Sequence, residues 1–123
     1  MKQWIARAII LAACSTQAAF AHEAEARHGG IVRSVDDVQY ELVSRDNKTV
    51  IYVDDHDKPV ATAGASGKLT VLNGAKKEEF VLKPAAENQL QVEGAAQLKA
   101  GAKAVAAITF ADKKKVQVRF VVK

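Results

Sequence analysis

Three histidines, His22, His28 and His56, are the side chains of this 123-residue chain with the most chemistry in reach. His22 and His28 belong to the polar run "AHEAEARHGG", together with Glu23 and Glu25. His56 sits in "DDHDKP" among Asp54, Asp55 and Asp57. None replaces an apolar residue in an alternating strand pattern, so the sequence reads them as surface groups rather than core histidines. Imidazole with carboxylate suits divalent transition ions, namely Cu(II), Zn(II), Ni(II) or Co(II). If processing leaves His22 at the N-terminus, its α-amine and imidazole close one chelate ring, and His28 with Glu23 or Glu25 adds further donors. The second candidate group is His56 with Asp57 and its acidic neighbours. Asp-rich turns also arise for backbone reasons alone, and an exposed turn is the plain alternative for His56.

Sulfur chemistry is excluded from everything after the leader. The single Cys and the single Met of the chain are Cys14 and Met1. Neither a thiolate site nor a soft thioether site for Cu(I) can form from the remaining residues. Ser34, Ser44 and Ser66 lie in no nucleophile motif, and no HExxH, phosphate loop or paired-carboxylate cleft is present. The sequence therefore reads as a non-enzyme without an organic cofactor. A nucleic-acid partner is not expected either: the formal charge of +4 includes Lys2 and Arg7 of the leader, and aromatic residues are 6% of the chain.

The leader has the layout of a secretory signal peptide. Lys2 and Arg7 flank its start, Ala8 to Cys14 is a short apolar core, and Ala19-Phe20-Ala21 is a small-x-small cleavage site. The apolar run is too short to span a bilayer, which needs roughly 20 residues. This predicts a signal peptide over 1–21, a polar His/Glu tail over 22–29, a domain over 30–123, and periplasmic export. A competing reading takes Leu11-Ala12-Ala13-Cys14 as a lipoprotein box, with a lipid anchor on Cys14.

The elements that must position the histidines read as β throughout. Val38, Tyr40 and Leu42 alternate with Gln39 and Glu41, and Val116, Val118, Phe120 and Val122 alternate with Gln117 and Arg119. Candidate strands are 31–35, 38–44, 49–54, 68–72, 78–83, 89–93, 103–111 and 115–122. Asp36-Asp37, Asp46-Asn47, Asn73-Gly74 and Asp112-Lys113 supply the turns. A helical turn is expected around Ala95–Leu98, and Lys113-Lys114-Lys115 reads as a solvated hairpin tip. About eight short strands predict a single antiparallel β-sandwich, immunoglobulin-like, with a small barrel as the alternative. If the first three strands run up, down and up, His28 and His56 fall at opposite ends, roughly 20 Å apart. A shared site then needs a folded-back tail or a second copy.

The stretches "HGGIVRSVDDVQYELV" and "VIYVDDHDKPVATAGASGKLTVLNG" carry a resemblance. His28-Gly29-Gly30 precedes a strand, Tyr40–Leu42 lies on the next, and Ile51-Tyr52-Val53 runs into an acidic turn ending Lys58-Pro59. In these features, over roughly residues 28 to 110, the chain resembles small periplasmic β-sandwich proteins that accompany heavy-metal efflux in Gram-negative bacteria. It is also similar to the N-terminal domain of the periplasmic adaptor subunits of heavy-metal RND pumps. The resemblance implies an exported sandwich with a role in metal handling or resistance. Efflux-complex components would be its partners, and His28 and His56 the candidate positions. It lacks the adaptors' coiled-coil and lipoyl-like parts and the methionines of copper- and silver-type adaptors. A non-catalytic interaction module that meets an envelope partner through a strand edge is the second expectation.

Overall fold

The computed structural model describes residues 25–123. The expected signal peptide, with Cys14, and His22 lie outside them. Nine strands follow one another: β1 Ile31–Val35, β2 Val38–Arg45, β3 Lys48–Asp55, β4 Lys58–Pro59, β5 Ser66–Asn73, β6 Lys76–Pro84, β7 Gln89–Val92, β8 Lys103–Thr109 and β9 Lys115–Val121. Every pairing is antiparallel. The order is β1-β2-β3-β7-β6-β5-β8-β9, with the two-residue β4 pairing to β3 outside this path.

The all-β antiparallel expectation holds. The ladders do not divide into the two separate sheets of a sandwich, however. They run unbroken from β1 to β9, and the sheet curls until those two edges lie against each other, giving a shape that is nearly a barrel. Between the edges there is no ladder pairing; Arg33 Nε donates to the Arg119 carbonyl at 3.0 Å across the seam. A twisted sheet with one apolar face must bury that face somewhere, and curling lets it bury the face against itself.

Alternation decides which residues go inside. Tyr40 and Leu42 of β2, Ile51 and Val53 of β3, Leu69 and Val71 of β5, and Val118 and Phe120 of β9 are all buried. Ala104 and Ala106 are buried on β8, and such small residues let opposite walls approach. The segment at 95–99 forms no helix. Ala96 and Leu98, two apart, both pack on the core, so the chain runs extended there, and Asn73 Nδ2 donates to the Gln97 carbonyl at 3.1 Å. Period two outweighs the helix preference of Ala, Gln and Leu.

The turns follow backbone chemistry. Asp36-Asp37, Asp46-Asn47 and His56-Asp57 each hold two consecutive residues at positive φ, the type I′ signature. At the β5–β6 hairpin Asn73 pairs with Lys76, so the turn residues are Gly74-Ala75, one position later than the sequence suggested. Gly74 takes φ 60° and Ala75 stays at negative φ, which fits a Gly-first turn. At the last hairpin Lys113 takes φ 69°, and the Lys114 amide donates to Asp112 Oδ1 at 2.9 Å. Lys113 to Lys115 are exposed, as expected of a solvated tip.

Candidate functional site

The described histidines both gather near β3, but in different ways. An extended tail would continue the β1 ladder past Leu42, away from the β3–β4 turn. Instead it doubles back. Gly29 adopts φ 72°, and the chain before it lies over the outer face of β2 and β3. The His28 ring stacks on Tyr52, with centroids 3.7 Å apart and planes 12° from parallel.

Glu41 is the anchor of this bend. It is the cross-strand partner of Tyr52 and faces outward with it. Its carboxylate accepts three backbone N–H groups: Arg27 on Oε1 at 3.0 Å, and His28 and Gly30 on Oε2 at 2.9 Å each. The residue is 5% exposed. A carboxylate so covered is tolerable only when its lone pairs are filled, and here backbone donors fill them. Arg45 completes the bend by donating from a guanidinium nitrogen to the His28 carbonyl at 2.6 Å. Gly30 has no alternative at its position: a Cβ there would overlap the Leu42 carbonyl oxygen and lie 2.8 Å from Val43 Cγ2.

His56 has no such setting. It is the first central residue of a type I′ turn, at φ 46° with Asp57 at φ 68°. Its side chain is 77% exposed, and Nε2 lies 3.6 Å from Asp55 Oδ1. The three aspartates around it do not converge. Asp54 is buried and accepts from Asn88 Nδ2 at 3.2 Å, while Asp57 forms an ion pair with Arg27. Only Asp55 attends the imidazole.

The Arg27–Asp57 pair nonetheless corrects the separation inferred from strand direction. The residue before His28 touches the residue after His56, so the tail and the β3–β4 turn meet on one side of the molecule. His28 itself sits over Tyr52, four residues before His56, which is roughly 13 Å of strand. Among the described residues no group of three His, Cys, Asp or Glu side chains stands within reach of one ion.

Comparison with family models, with curated proteins and with solved structures gives no match. Function therefore rests on the residues themselves.

Sequence reasoning singled out His28 and His56 but not Glu41 and Arg27, which hold the tail in place. The signal for Glu41 was slight: an acid in the middle of a strand, opposite an aromatic, eleven residues after a Gly-Gly step. Asp57, expected as a metal ligand, is paired with the Arg27 guanidinium.

Proposed function

We propose that this chain is an exported divalent-metal-binding accessory protein of the periplasm, a buffer or chaperone linked to heavy-metal efflux or resistance. The observation that carries the reading is the Arg27–Asp57 pair, which draws the His-bearing tail to the turn that presents His56. The leader pattern and the resemblance to efflux-associated sandwich domains support it. His56 with Asp55 offers an imidazole and a carboxylate. His22 precedes Arg27 by five residues, at most about 18 Å of extended chain, and so is within reach of that pair. A site completed by the tail would be weak and exchangeable, as suits a protein that passes an ion onward. His28 would act through its stack on Tyr52, fixing where the tail begins.

Titrating the exported protein, freed of metal, with Cu(II), Zn(II), Ni(II) and Co(II) tests this. Binding of at least one ion below about 1 mM is expected. Replacing His22 and His56 together by Ala should abolish it, and Asp57→Asn should leave it nearly unchanged. No binding at that level, or binding indifferent to both histidines, ends the reading.

The edges of β1 and β9, which meet without a ladder between them, favour a second reading, a non-catalytic envelope module that receives a partner's strand at that seam. A partner that stays bound in the presence of a chelator distinguishes it from the metal reading.

A further inference from the structure

One end of the curled sheet is not closed by side chains. A hollow of about 400 Å³ lies between the β1–β2 turn, the loop after β4 and the β8–β9 hairpin. That is within the size range of small-ligand sites, which favour the mouths of barrels. Its walls include Val60, Phe110 and Val116, which pack on the core yet keep part of their surface in the opening. Five charged residues, Asp36, Asp55, Asp112, Lys114 and Lys115, contribute to its lining.

Tyr40 gives the hollow a polar point. The residue is 3% exposed and lines the cavity, yet its hydroxyl has no hydrogen-bond partner among the described residues. A buried hydroxyl normally finds one, because burial without a partner is costly. Nor is this oxygen sealed away, since Asn73 Oδ1 alone among described side-chain atoms is both enclosed and unpaired. Its way out is the cavity it borders. Burial, and then the charge of Asp36, push its pKa up to about 12, so the group stays a donor at any physiological pH.

We propose that this end of the sheet binds a small uncharged amphiphile, an alcohol or ketone. Its apolar part packs on Val60, Phe110 and Val116, and its oxygen accepts the Tyr40 hydroxyl. Charge selects against the alternatives. Lys114 and Lys115 also line the cavity, but the charge acting on the Tyr40 hydroxyl is that of Asp36, so a carboxylate head placed there is repelled, whereas an ammonium head offers Tyr40 no acceptor. No histidine takes part, and Asp55 is the one residue shared with the metal reading.

Three probes of one chain length, 1-octanol, octanoate and octylamine, test the proposal when titrated into the exported protein under two-dimensional amide NMR. Octanol should shift the amides of Val60, Phe110 and Val116 with Kd below about 1 mM. Octanoate and octylamine should bind at least about tenfold more weakly. Tyr40→Phe, which keeps the ring in the core, should weaken octanol about tenfold while leaving the rest of the spectrum in place. Ala63→Phe, at an exposed position on the rim, should block it without asking the core to repack. Octanol shifts scattered over the surface, equal binding of all three probes, or full affinity in Tyr40→Phe would each overturn it.

Discussion

His28 and His56 stand on the same side of the molecule, and the chain holds them by opposite means. His28 follows an arginine whose backbone is gripped by Glu41, is itself gripped by the same carboxylate, and lies flat on Tyr52. His56 has only Asp55 beside its imidazole, in a turn that any two residues tolerant of positive φ would make. A histidine with a fixed base and covered face is a structural clasp. A histidine on an exposed turn is free to meet whatever arrives. The difference is one of restraint: the His28 ring is stacked on Tyr52, whereas the His56 side chain is 77% exposed with one carboxylate near it.

Substitutions separate the two regions by size of effect. Glu41→Ala should be the most damaging, because three backbone N–H groups lose a charged acceptor under cover; we expect about 3 kcal/mol from urea unfolding. Hydrogen exchange at Arg27, His28 and Gly30 should accelerate in the same variant, and unchanged protection there would break the clasp account. Next, Gly30→Ala should cost about 2 kcal/mol, since its methyl meets the Leu42 carbonyl and Val43. His28→Ala should lose about 1 kcal/mol with the Tyr52 stack, read by thermal unfolding. His56→Asn should change stability by less than about 0.5 kcal/mol, because Asn accepts the same left-handed backbone. A large loss for His56→Asn would mean that its imidazole does more for the fold than the turn geometry implies.

Much of the fold was legible because its signals are local. The alternation of Tyr40 and Leu42 with Gln39 and Glu41 places β2 and its faces, and Asp36-Asp37 and Asp46-Asn47 name their turns. Closure of the sheet was not legible, since nothing in eight similar strands says whether the ladders split or continue. β4 is two residues long and has no period to detect. Glu41 was correctly assigned to the outer face, but the outer face was equated with water. The cover comes from a non-periodic tail, and a tail that folds back at Gly29 leaves no pattern in sequence. For the same reason strand direction set His28 and His56 at opposite ends: the inference assumed a straight approach to β1. For His56-Asp57 the sequence left a ligand group and an exposed turn both open, and the two positive φ angles account for the residue types by the turn.

The seam between β1 and β9 has a consequence for how this protein behaves in a crowded compartment. Two strand borders that meet without a ladder can part and pair with those of another copy, and Val121, 47% exposed, adds a greasy point beside one of them. Arg33, Lys115, Arg119 and Lys123 spread cationic charge along both borders. Like charge keeps neighbours apart only while counter-ions are dilute. Concentrated brine should therefore coax the molecules into fibrous stacks, and fresh dilution should release them.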